Sequence, residues 1–162
     1  MIPDAAHGFA RRCESALGES LRAVILIGSF ARGDETPTSD VDLVVLVESV
    51  HRGLLRAVSE IVASLPSENE LNPAVIAASE LAAEPDIFGW LNVKHDGVLL
   101  AGAFPEEPAG SMSELRLARR IAGEVLLSSR HYLSVGEPAE KFAGGKLWTW
   151  NQKPLGFALR FY

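Results

Sequence analysis

Apolar and polar positions alternate along the chain in runs short enough to read as separate elements. From Asp4 to Leu17, Ala5, Phe9, Cys13 and Leu17 recur every four residues, with Arg11, Arg12 and Glu14 between them. That period gathers one apolar stripe on a helix, and Gly18 is a stop signal at its end. Ala23 to Ile27 is an unbroken apolar run, the pattern of a central strand covered on both faces. A second such run covers Val41 to Val47. Gly53 to Leu65 returns to the helical period through Leu54, Leu55, Val58, Ile61, Val62 and Leu65, and Pro66-Ser67 ends it. Leu71 to Ala77 reads as a third strand. Pro73 lies inside it and has no N–H for a ladder, which predicts an edge strand or a bulge. Ser79, with Glu80 close behind, predicts a capped helical entry. A short helix is expected over Pro85 to Asn92, carrying Phe88, Trp90 and Leu91. Asp96-Gly97 is turn chemistry before a short strand, Val98 to Leu100.

The order helix, strand, strand, helix, strand, helix, strand predicts an α/β (α+β) fold: a small mixed sheet of about four strands with flanking helices. Gly102 to Gly110 holds two prolines, two glycines and two glutamates and reads as a linker. The expected organisation is therefore a domain over 1–102, a linker over 103–110 and a C-terminal helical extension over 111–162. Met112 to Leu133 has the longest helical pattern, broken by Gly136-Glu137-Pro138. The last segment carries Trp148, Trp150 and Pro154 and fits no simple period. Trp148 and Trp150 could stack a base or dock a partner, but core packing is the simpler expectation.

Composition narrows the classes. A chain of 162 residues with 48% hydrophobic content can bury a core of its own. No apolar run approaches the ~20 residues that span a bilayer. The first residues lack the apolar centre of an export signal, and the single cysteine, Cys13, forms no internal disulfide and fits a reduced, cytoplasmic setting. On its helical stripe Cys13 reads as a small core residue. The net charge of −6 is uneven: residues 1–110 carry 7 Lys and Arg against 17 Asp and Glu, and residues 111–162 carry 8 against 4. So acidic a body does not supply the basic footprint of a nucleic-acid binder. The basic tail reads first as a solvated helix face. A homo-oligomer stays open.

The chemistry concentrates between Gly28 and Val47, GSFARGDETPTSDVDLVVLV. An apolar strand feeds Gly28-Ser29, Arg32-Gly33 follows, a polar turn runs from Asp34 to Ser39, and Asp40 and Asp42 open the next strand. Two aspartates at i and i+2 share one strand face, with Cα atoms roughly 6.6 Å apart, so both carboxylates can reach one pair of hard cations. Magnesium favours such oxygens together with substrate phosphates. Gly28 lets backbone approach a phosphate, and Ser29 and neighbouring N–H groups can donate to it, more so if a short helix begins at Phe30. Arg32 can grip a phosphate with two N–H groups; the plainer alternative is an ion pair with Asp34 or Glu35. Phosphate cradle and metal carboxylates on neighbouring strand ends suit in-line displacement at phosphorus.

Gly28-Ser29, Ala31-Arg32-Gly33 and Ser39-Asp40-x-Asp42-Leu43 resemble the GS…ARG…SDxDL signature of the DNA polymerase beta nucleotidyltransferase superfamily, and the short chain and spacer resemble its minimal nucleotidyltransferase branch. The signature covers about twenty residues and the looser resemblance runs to about Gly102. It implies a nucleotidyltransferase fold and a Mg²⁺-dependent transfer of a nucleoside monophosphate from an NTP, ATP first, to a hydroxyl on a small molecule or a protein side chain. Gly28, Ser29, Arg32 and Ser39 would bind the nucleotide, and Asp40 and Asp42 the metal. The resemblance also implies a third acid on the strand after the intervening helix. The residue that aligns there is Asn72, an amide that cannot act as a base. Glu70 shares its face and is the candidate catalytic carboxylate; an ordinary charged strand end is an equal alternative. Glu48 lies at the wrong end of its strand. Many chains of this branch act beside a helical HEPN partner as antitoxins, and Met112 to Leu133 faintly resembles the opening helix of such a partner, so a binding role is the competing expectation. His7, His51, His95 and His131 show no metal-ligand spacing and read as surface residues, and nothing local supports Lys94 as a phosphate ligand.

Overall fold

The computed structural model describes residues 2–83 and 90–108, with Arg116 and Arg119. Two compact units divide the chain, Met1–Ser111 and Met112–Tyr162. All the elements below belong to the first. Apart from Arg116 and Arg119, the helix expected over Met112 to Leu133 lies outside the described residues, as do the tryptophan-bearing tail and positions 84–89.

Helix α1 spans Asp4–Leu17 and a 3₁₀ turn, Gly18–Ser20, leads into strand β1, Leu21–Leu26. A one-and-a-half-turn helix α2, Gly28–Arg32, precedes β2, Val41–Val47. Then come α3, Arg52–Ala63, β3, Leu71–Ala77, α4, Ala78–Ala83, α5, Trp90–Asp96, and β4, Val98–Gly102. The strands form one mixed sheet in the order β3-β2-β1-β4. β1 runs antiparallel to both β2 and β4, while β2 and β3 are parallel, joined through α3. The two unbroken apolar runs are the two central strands. β3, which carries Pro73, is an edge, where the missing N–H interrupts no second ladder.

Alternation along β2 sends Val41, Leu43, Val45 and Val47 into a core shared with Phe9 and Cys13 of α1 and Leu54, Val58 and Ile61 of α3. The opposite face holds Asp42, Val44 and Leu46, of which the two apolar residues are also buried. Phe9 is fully buried, and truncating such a residue to alanine typically costs about 3–5 kcal/mol. The buried stripe of α1 includes Ala6 and Ala10 beside Phe9 and Cys13, while Ala5 and Leu17 sit at its margin.

Local chemistry moved several boundaries. α3 begins at Arg52 because His51 Nδ1 accepts from Leu54 N–H at 3.2 Å and caps it. Ser79 does not cap α4; Glu80 Oε2 reaches back to Ala77 N–H at 2.8 Å and does so instead. α5 runs on to Asp96 because Val93 continues the buried stripe of Trp90. β4 includes Gly102, which the composition had placed at the head of the linker. A side chain there would overlap the Arg22 carbonyl oxygen of the neighbouring strand. Among the described residues no helix is long and apolar enough to cross a membrane.

Burial pushes the Cys13 thiol from 9.0 up to about 12. Above pH ~9 the unfolded chain releases this proton and the folded chain keeps it, so stability is full below that pH and falls as pH rises, by up to about 1.4 kcal/mol per unit. Urea midpoints measured at pH 8 and pH 10 should differ more for the wild type than for Cys13→Val. Equal pH slopes would contradict the burial of a protonated thiol.

Candidate functional site

The site is assembled where β1 ends and β2 begins. Antiparallel pairing sets Leu26 opposite Leu43, and Ile27 N–H donates to the Asp42 carbonyl at 2.9 Å. The turn after β1 is thereby fixed beside the aspartates that open β2. Gly28 has a φ of 75°, in the left-handed region. A Cβ on it would overlap Asp42 Oδ2, so Gly28 and Asp42 are a matched pair: the glycine leaves the space that the carboxylate uses. A short helix does form here, and α2 starts at Gly28, two residues before Phe30, with Ser29 half-buried in its first turn. Gly33, also left-handed, closes the helix, with Gly33 and Asp34 N–H groups both donating to the Ser29 carbonyl.

The polar turn is tied to itself. Ser39 N–H donates to the Thr36 carbonyl at 3.0 Å and Ser39 Oγ accepts from Thr36 N–H at 2.9 Å. Asn69 Nδ2 donates to the Ser39 carbonyl at 2.9 Å, so the segment before β3 holds the turn from the other side. Asn69 had no signal in the sequence, because the contact joins residues thirty positions apart. Glu35, in the same turn, has its carboxyl held below the usual range, chiefly by its own backbone N–H.

Arg32 forks onto Asp34, with Nε and a terminal nitrogen 3.2 and 3.1 Å from its two oxygens, and its other terminal nitrogen lies 3.5 Å from Asp96. Asp34 is one of the partners that the sequence offered. Asp96, at the end of α5 and 64 residues away, was not foreseeable locally.

Asp40 is exposed and Asp42 half-buried. Across the parallel pair, Asp42 stands beside Asn72, and Asn72 Nδ2 donates to Asp42 Oδ1 at 2.9 Å. Glu70 is exposed, just before β3, and its carbonyl accepts from Val41 N–H at 2.8 Å. Glu48 is at the far end of β2, paired with Arg22, and Lys94 pairs with Glu107. Among the described residues no group of three or more His, Cys, Asp or Glu is placed to hold a metal ion. Asp40 and Asp42 offer carboxylate oxygens, hard donors of the kind that hold magnesium jointly with phosphates. Because Gly28 has no side chain, Asp42 Oδ2 lies against the turn with nothing between them, which fits that use.

The nucleotidyltransferase domain family matches residues 9–100, from within α1 to β4 and more than half of the chain. The chain belongs to this family. Nucleotidyltransferase domains are transferases that generally work with divalent metal ions. A Methanocaldococcus jannaschii protein provisionally named a protein adenylyltransferase is 36% identical over 50 residues. That stretch covers 31% of this chain and about a third, 34%, of the relative's length. A solved structure described as a toxin–antitoxin with AMP-PNP is similar over 81% of this chain and 96% of the solved chain, at 18% identity and a TM-score of 0.42.

Proposed function

We propose that this nucleotidyltransferase domain moves a nucleoside monophosphate, AMP first, from an NTP to an acceptor hydroxyl on a protein side chain or a small molecule, with Mg²⁺. The observation that carries the reading is the juxtaposition of the Gly28-Ser29 turn with Asp42 and, two residues before it, Asp40. In this proposal Gly28 lets the Asp42 carboxylate lie against the turn that takes the triphosphate, and the Ser29 hydroxyl donates to a phosphate oxygen. Arg32 exchanges part of its fork on Asp34 for a phosphate oxygen, while Ser39 holds the loop in shape. Asp40 and Asp42 hold the metal, which supplies charge neutralisation at the phosphate under attack. Glu70 is the carboxylate offered for taking the acceptor's proton. The protein named as an adenylyltransferase favours AMP and a protein acceptor, as far as its short matched stretch reaches.

One observation favours a second reading. The side chain facing Asp42 across the strands is the amide of Asn72, not a carboxylate. With no base there, nucleotide binding can outlast transfer, and the domain would act as an antitoxin-like partner of a HEPN-like helical protein. A small helical protein encoded in the neighbouring reading frame would favour this reading.

Arg32→Ala tests the phosphate contact. A charge-assisted hydrogen bond is worth about 1.5–3 kcal/mol, so the Kd for Mg-ATP should rise at least tenfold by calorimetry. A variant that melts earlier yet binds Mg-ATP as tightly as the wild type would reduce Arg32 to its ion pairs with Asp34 and Asp96.

A further inference from the structure

We infer that Asn72 is a positioning residue for Asp42: its amide fixes one carboxylate oxygen so that the other is presented to the Gly28–Arg32 turn. The inference rests on the proposed metal-binding role of Asp42 and deepens it.

Three observations carry it. The parallel register places Asn72 directly beside Asp42. The Nδ2 group of Asn72 donates to Asp42 Oδ1 at 2.9 Å. On the other side, Oδ2 occupies the space where a Gly28 side chain would be, and the Cβ and Cγ of Asp42 lie 3.2 Å from that same point. The carboxylate is therefore anchored through one oxygen by the amide, while the other lies beside the Gly28 turn with no side chain between them. A free aspartate would turn about its last torsion, whose energy profile is broad. The amide removes that freedom at little cost, because a neutral donor beside a carboxylate adds no repulsion. Hydrogen bonds to a metal-ligating group commonly account for 10–100-fold in metal affinity. Asn72 would thus keep one oxygen of Asp42 for the cation and use the other as an anchor.

The test is Mn²⁺ binding to the full chain, followed by the electron-spin signal of the free ion, with no nucleotide and no turnover. Asn72→Leu keeps the branched shape and removes the donor, and Asn72→Ala serves as a second variant should the first fold poorly. Asp42→Asn reports on the metal site itself. Both Asn72 variants should bind Mn²⁺ at least tenfold more weakly than the wild type while melting within a few degrees of it, and Asp42→Asn should lose binding. If Asp42→Asn loses binding but a folded Asn72 variant keeps the wild-type affinity, the positioning role is wrong and the metal site stands. If Asp42→Asn binds Mn²⁺ as the wild type does, the metal reading fails and takes the positioning role with it.

Discussion

Converting Asp40 and Asp42 together to asparagine is expected to lower nucleotide transfer by about a thousandfold or more and to erase the Mg²⁺-dependent part of ATP binding. Charge stabilisation by a metal at phosphorus is worth several kcal/mol, and each 1.4 kcal/mol is a factor of ten in rate. Asparagine keeps the size of each side chain and removes the charge that would hold the cation. Two acidic groups at one strand opening repel each other without a cation, so the double variant should melt at or slightly above the metal-free wild type. For the wild type, ATP with Mg²⁺ should raise the Tm more than either alone, because ligands of the native state stabilise it by mass action. A double variant whose Tm still responds to Mg-ATP as the wild type does would remove Asp40 and Asp42 from the metal site.

Gly28 carries the second large effect. Its φ is 75°, and a Cβ there would overlap Asp42 Oδ2. Gly33 has the same φ of 75° with nothing within 4 Å of the corresponding point. Gly33→Ala therefore carries the backbone strain alone, about 1–2 kcal/mol, whereas Gly28→Ala adds the displacement of Asp42. We expect Gly28→Ala to be destabilised more than Gly33→Ala, by a few degrees of Tm, and to lose at least tenfold in Mg-ATP affinity. Gly28→Val should lose binding altogether. On sequence grounds this replacement would block the phosphate and leave the fold largely intact; the structure adds a cost in stability, because Asp42 must move first. Equal Tm and equal affinity for the two alanine variants would show that the Gly28–Asp42 approach is irrelevant to both.

What could be read from the sequence follows from how local each signal is. The central strands are continuous apolar runs, α1 and α3 have clean helical periods, and Pro73 marks an edge by chemistry it carries itself. The motif from Gly28 to Asp42 was legible because a turn and an i, i+2 pair are short-range patterns. The contacts that shape the site are of another kind. Asn72 meets Asp42 through the β2–β3 register, Arg32 meets Asp96 across 64 positions, and Asn69 holds Ser39 from the segment before β3. Those pairings depend on strand register and helix placement, which no local window contains. The caps show the same limit at smaller scale. Ser79 has the usual identity of a cap, but Glu80 has the reach, and His51 caps α3 although histidine is not among the preferred residues.

The most direct test of the account is the fate of the two ends of the triphosphate. The full chain would be incubated with Mg²⁺, cell lysate as the source of acceptor, and ATP labelled either at the α- or at the γ-phosphate. Label from the α-phosphate should become attached to an acceptor, pyrophosphate should be released, and both should vanish when Mg²⁺ is chelated or when Asp40 and Asp42 are both asparagine. Transfer of the γ-label, or α-label transfer that survives the double substitution, would contradict nucleotidyl transfer from this site.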